Sequence, residues 1–123
     1  MTLYILDWSG TLNQLSNPKG YVRALQSLGH KVVIWTGHAF LQEPAAEAAD
    51  KVIWKNDHLL LWEVVNHCMA AWPDIAKIRV SDDDVAYIVD AVTELATDPI
   101  KAYMIEFIHP SHLNAHLTSL AGK

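Results

Sequence analysis

The stretch TLYILDWSGT, Thr2 to Thr11, decides the fold. Thr2 to Leu6 is short and apolar, which reads as a buried β-strand; it delivers a carboxylate, Asp7, to its C-terminal edge, and Ser9-Gly10-Thr11 then turns the chain. Working outward, Tyr21, Val22, Leu25 and Leu28 recur at helical spacing, and Gly29 stands where a glycine stops a helix. Lys31 to Trp35 is a second buried strand closing on Thr36-Gly37-His38, Glu43 to Ala49 reads as a short helix, and Val52-Ile53-Trp54 as a third strand. Asn56 and Asp57 are suited to cap a helix that carries Leu61, Val64, Val65, Cys68 and Trp72 on one face and ends at Pro73. Lys77 to Val80 is a fourth strand running into Ser81-Asp82-Asp83-Asp84. A helix with Val85, Ile88, Val89, Val92 and Leu95 at core spacing follows, then a strand from Ala102 to Ile108, then a last helix after Pro110 with Leu113, Leu117 and Leu120 in line.

Strands that alternate with helices in this way predict an α/β fold: a three-layer, Rossmann-like parallel sheet of about five strands with helices on both faces. Any ligand site in such a sheet lies at the C-terminal ends of the strands. The 123 residues are the size of one domain, spanning 1–123, so a separate substrate lobe is not expected. With 51% hydrophobic and 19% charged residues the chain packs a core and is not disordered. A net charge of −5 offers no polycationic face for a phosphate backbone, so nucleic acid is not an expected partner. A single cysteine, Cys68, on the apolar face of its helix, reads as an inert core thiol in a reducing compartment. Neither a secretory leader nor a membrane span is visible, so a cytoplasmic, unprocessed protein is expected.

The strand ends collect polar residues at one edge: Asp7, Thr36, Lys55 and the run Asp82-Asp83-Asp84. A carboxylate after the first strand can attack phosphorus or hold a hard cation, and the acids after the fourth add oxygen ligands for Mg²⁺. A lysine and a threonine at neighbouring ends can neutralise and orient a phosphoryl group. The plainer roles are a turn residue for Asp7 and helix capping for the acidic run. The convergence of all these strand ends favours the chemical one.

Residues 2 to 84 resemble the haloacid dehalogenase (HAD) superfamily, with DWSGT as its first motif, VVIWT as the second, the lysine of VIWK as the third and VSDDD as the fourth. The resemblance implies a capless phosphohydrolase in which Asp7 is the nucleophile that becomes an aspartyl-phosphate and Thr36 and Lys55 hold phosphoryl oxygens. Mg²⁺ would be held by Asp7, the backbone carbonyl of Ser9, Asp82 and Asp83, with Asp84 the alternative in the acidic run.

One departure qualifies this: the family's phosphatases carry a second Asp two residues after the nucleophile, as general acid and base, where this chain has Ser9. Loss of a positioned acid/base removes roughly 10² to 10⁴ in rate. Three outcomes are open: a phosphohydrolase restricted to good leaving groups, a replacement acid in His38, histidine being the residue type suited to proton transfer near neutral pH, or a catalytically inactive binding or regulatory module. DWSGT is also similar to the DWAGT of phosphonoacetaldehyde hydrolases. Those use a lysine on a cap inserted after this motif, and the short segment here, with Lys19 alone, has no room for one.

An uncapped site suits a phosphorylated small molecule or macromolecule, with a protein partner or a second copy covering the opening. A receiver-like domain ranks lower, because Asp7 has no second acid beside it. Trp8, Trp35 and Trp54 flank site residues but are expected to pack under helices rather than stack on a ligand. His109, His112 and His116 have a metal-like spacing without an acidic or thiolate companion, and read as a polar helix face.

Overall fold

Strand pairing turns that order of elements into an architecture. The computed structural model describes residues 1–38, 41–57, 60–84, 89, 93, 97 and 104–121. Within them β1 (Thr2–Leu6), β2 (Lys31–Thr36), β3 (Lys51–Trp54), β4 (Lys77–Ser81) and β5 (Ile105–Phe107) form one sheet in the order β3-β2-β1-β4-β5. Every neighbouring pair is parallel. This is the Rossmann-like α/β layout the alternation predicts. It departs from the 2-1-3-4-5 order of receiver domains, which removes the receiver-like alternative.

Side chains alternate across the sheet and each face finds its own cover. Leu3, Ile5, Val33, Trp35, Ile53, Ile78 and Val80 pack with Leu61, Val64, Val65 and Cys68 of α3 (Leu61–Ala71). Tyr4, Leu6, Val32 and Ile34, the residues between, pack with Tyr21, Val22 and Leu25 of α1 (Pro18–Ser27), Ala45 of α2 (Pro44–Ala48) and Leu113 of α4 (Leu113–Ala121). β1 and β2, buried on both faces, need no polar alternation and read as continuous apolar runs, whereas Val52 of β3 and Glu106 of β5 are exposed. Between β1 and α1 the chain makes only a short 3-10 turn, Leu12–Gln14, and no cap is inserted there. No helix among the described residues is long and apolar enough to cross a membrane.

Local chemistry sets the helix ends. Asn17 Oδ1 accepts the Gly20 N–H at 2.9 Å and Pro18 supplies a preset φ, so α1 starts three residues before the apolar repeat begins at Tyr21. Gly29 stops it at φ +87°, a left-handed conformation glycine adopts without strain. For α3 the predicted caps are not used. Asn56 and Asp57 form a turn after β3, and the helix starts at Leu61, where the Glu63 carboxylate accepts the Leu60 N–H at 3.1 Å. The helix expected from Val85 to Leu95 lies outside the described residues except for Val89 and Thr93, both helical, with the Thr93 hydroxyl donating to the Val89 carbonyl at 3.0 Å; Val89 is 56% exposed rather than in the core. The start of the expected last strand, Ala102 and Tyr103, also lies outside them.

The last helix is fastened by a buried hydrogen bond from the Tyr21 hydroxyl to the Leu113 carbonyl, 2.8 Å. Tyr21→Phe removes that buried bond and should destabilise the protein by ~1–2 kcal/mol. Leu28→Ala, at a side chain 45% exposed, should cost under ~0.5 kcal/mol. Urea unfolding of both variants checks the contrast, and equal effects would contradict the packing described.

Candidate functional site

The β1–β4 pairing ends at Leu6 opposite Ser81, and the Asp7 N–H donates to the Ser81 carbonyl at 3.0 Å. The next residues on the two strands, Asp7 and Asp82, therefore leave the sheet side by side. They do so where the strand order reverses, with β2 and β3 on one side and β4 and β5 on the other. That crevice is where open α/β sheets bind ligands.

Lys55 comes from farther away. Its N–H donates to the Thr36 carbonyl at 2.8 Å, extending the β2–β3 ladder by one residue. β3 lies two strands, roughly 10 Å, from β1, a gap that calls for a long side chain. Lys55 passes over the Trp35 ring, its Nζ 5.1 Å from the centroid, and reaches Asp82 Oδ2 at 2.8 Å and Asp7 Oδ1 at 3.3 Å. All three are buried, Asp7 5%, Asp82 4% and Lys55 4% exposed, so these charges act in a medium that screens them poorly.

Burial first, and then the neighbouring Asp82 carboxylate, push the Asp7 carboxyl up to about 7 against the opposing pull of Lys55. Burial alone would lower Lys55, but its hydrogen bond to Asp82 and the charges of both carboxylates outweigh that and raise it. The lysine stays an ammonium.

Asp83, exposed, completes an acidic group: Asp7, Asp82 and Asp83 each bring one carboxylate oxygen within 4.8 Å of the others. Asp84 falls outside it and instead donates its N–H to Asp82 Oδ1 at 2.9 Å, fixing that carboxylate. Gly10 makes room for the arrangement. Its φ of +72° is left-handed, and a methyl group there would overlap the Asp83 carboxylate. Thr36 is fully buried at the end of β2, and its Oγ1 accepts the His38 N–H at 3.1 Å, leaving the hydroxyl proton to be donated elsewhere. His38 in turn places Nε2 3.1 Å from Ser9 Oγ. The buried hydroxyls of Thr11 and Ser81, beside Gly10 and Asp82 in the chain, have no hydrogen-bond partner among the described residues.

Asp7, Lys55, Asp82 and Asp83 thus meet in one place, and Ser9 meets His38. Of the other candidates, Trp35 lies against Lys55 and His109 lines a cavity beside Asp82 and Asp83, while the rest lie elsewhere. Trp35 is in the core, with Trp8 and Trp54 half-buried. His116 Nε2 contacts the Tyr4 hydroxyl at 2.8 Å, while His109 Nδ1 faces Ser111 Oγ at 2.7 Å. The Cys68 thiol, pushed by burial up to about 11, is not a nucleophile at neutral pH. Sequence reasoning did not single out Gln14 and Phe107, which line a cavity continuous with Asp82 and Asp83. The position of Phe107 at the end of the fifth strand was the available signal.

Comparison of the chain with protein-family models, curated proteins and solved structures finds no match.

The raised Asp7 carboxyl has a consequence for stability. The folded state keeps its proton up to about 7 while the unfolded chain loses it near the ordinary value of 3.8, so stability falls as pH rises through that window. Asp7→Asn removes the charge at similar size. Without divalent metal at pH 8 it should be more stable than wild type by ~1–3 kcal/mol, with the gap closing toward pH 5. Thermal melts across pH measure this; a destabilised Asp7→Asn at pH 8 would contradict it.

Proposed function

We propose that the chain is a Mg²⁺-dependent phosphohydrolase of the HAD-like kind, acting through an aspartyl-phosphate on Asp7 and favouring leaving groups that need no proton. The observation that carries the reading is the convergence of Asp7, Asp82, Asp83 and Lys55 at the crevice where the strand order reverses. The donor set fits a hard divalent cation: three carboxylates against one ammonium leave a formal charge of minus two, and Mg²⁺ takes oxygen ligands. Asp7, Asp82 and Asp83 would hold it, with the Ser9 carbonyl as a further oxygen. When bound, the ion would neutralise phosphoryl oxygens and so admit an anionic substrate among carboxylates.

The remaining chemistry falls to the chain's own side chains. An Asp7 carboxylate oxygen attacks phosphorus, the bond to the leaving oxygen breaks, and the electron pair departs with the leaving group. The Lys55 ammonium and the Thr36 hydroxyl, at adjacent strand ends, stabilise charge on the phosphoryl oxygens. Water then attacks phosphorus, phosphate leaves, and Asp7 is restored. Ser9 cannot donate or accept the protons these steps move, whereas His38 Nε2, 3.1 Å from Ser9 Oγ, stands over the same turn. His38 protonates a poor leaving group and takes the proton from water.

The substrate is a phosphorylated small molecule or macromolecule, and the open site leaves room for a protein partner or second copy. A cytoplasmic setting goes with the lone, buried Cys68. The second reading, a catalytically inactive binding or regulatory module, is favoured by Ser9 itself. It requires phosphoryl-ligand or metal binding without turnover.

The deciding experiment is phosphate release from acetyl phosphate and p-nitrophenyl phosphate, with and without Mg²⁺, by wild type and Asp7→Asn. The expected result is release that needs both the metal and Asp7. No release by wild type favours the binding module. For His38→Ala the expected loss is roughly 10²-fold on phenyl phosphate but under about 10-fold on p-nitrophenyl phosphate. Equal losses on the two esters would remove His38 from the mechanism.

A further inference from the structure

A cavity of about 510 Å³ opens beside the acidic group, and Asp82 and Asp83 belong to both. One wall is Gly10 and the exposed Gln14 of the turn after β1; the other is the end of β5 and the residues after it. We propose that this cavity receives the leaving group of the substrate, and that it selects an uncharged, partly apolar, ring-sized group over one bearing a second phosphate or a carboxylate. The inference rests on the phosphohydrolase reading and adds a substrate class to it.

Volume, lining and charge agree on that occupant. The volume lies in the range of small-molecule sites, roughly 300–1,000 Å³. Phe107, Ile108 and Pro110 give the β5 side an apolar surface for a ring. His109 adds a directed polar group. Its Nδ1 accepts the Ser111 N–H at 3.2 Å, so a neutral ring carries its proton on Nε2 and presents a donor there. Gln14 offers an amide from the opposite wall. Among the described lining residues there is no lysine or arginine, while Asp82 and Asp83 lie where the cavity meets the acidic group. Beyond the phosphoryl group itself, a second anion would find no lysine or arginine among the described lining residues to pair with, which disfavours it. Lys55, the cation of the site, is engaged with Asp7 and Asp82.

The test is steady-state kinetics with Mg²⁺ on three substrates: acetyl phosphate, too small to use the ring surface, p-nitrophenyl phosphate, and 4-carboxyphenyl phosphate. Phe107→Ala should raise KM for p-nitrophenyl phosphate roughly 10-fold with kcat little changed, and leave acetyl phosphate unaffected. Gln14→Arg, at an exposed position that the fold does not depend on, should raise kcat/KM for 4-carboxyphenyl phosphate roughly 10-fold relative to p-nitrophenyl phosphate. If wild type and variants turn over acetyl phosphate alike but neither substitution changes the aryl esters selectively, the cavity is not the leaving-group site and the hydrolase reading stands. If wild type hydrolyses none of the three, the hydrolase reading falls and takes this inference with it.

Discussion

A lysine ammonium buried between two carboxylates is the contact on which the strand-end arrangement depends. Asp7 and Asp82 are forced together by strand register, since the β1–β4 ladder ends with both facing the same crevice. Two carboxylates so close and so buried repel each other and lose their hydration, and without a cation one would have to stay protonated. Lys55 supplies that cation from two strands away. Removing Lys55 from this buried set should cost about 3–5 kcal/mol, because two buried carboxylates are then left without their cation. The three residues form one electrostatic unit although they lie far apart in the chain.

That unit is costly to bury, and the rest of the fold offsets the cost. Separate apolar clusters on the two faces of the sheet, with β1 and β2 buried on both, give the strand ends a firm base. The residues that then leave the sheet are held by the backbone rather than by loop packing: Asp7 through its N–H on Ser81, Lys55 through its N–H on Thr36. Asp83 is the exception. It is exposed, and it approaches the buried pair only because the β1 turn passes it as a glycine, so the least anchored carboxylate depends on a residue with no side chain. An acidic group whose charge Lys55 only partly offsets, beside a cavity with an apolar wall, suits a ligand that brings in cationic compensation at one end and a ring at the other.

Much of this was legible in the sequence. Strands buried on both faces appear as apolar runs, and in a parallel sheet the residue after each run emerges at the same edge. Asp7, Thr36, Lys55 and Asp82 could therefore be grouped from the sequence alone. Less legible were the features that depend on the path of the backbone after the strand. Choosing between Asp83 and Asp84 needs the direction of the turn, which a run of identical residues cannot give. Asn56 and Asp57 have good capping chemistry, yet the turn after β3 uses them and α3 is capped by Glu63 reaching back to Leu60. Phe107 and Gln14 come together only because β5 lies beside β4. Strand order is a property of crossovers that periodicity does not record. His38 was marked by its place after Thr36, but its contact with Ser9 depends on two loops meeting above the sheet.

The central claim is that Asp7 forms a bond to phosphorus. The most direct measurement is to incubate the protein with acetyl phosphate and Mg²⁺, quench with borohydride, which reduces an acyl phosphate to the alcohol, and map the modified residue by peptide mass spectrometry. The account predicts conversion at position 7 that requires Mg²⁺. Conversion at another carboxylate, or none at position 7 while phosphate is being released, would contradict it.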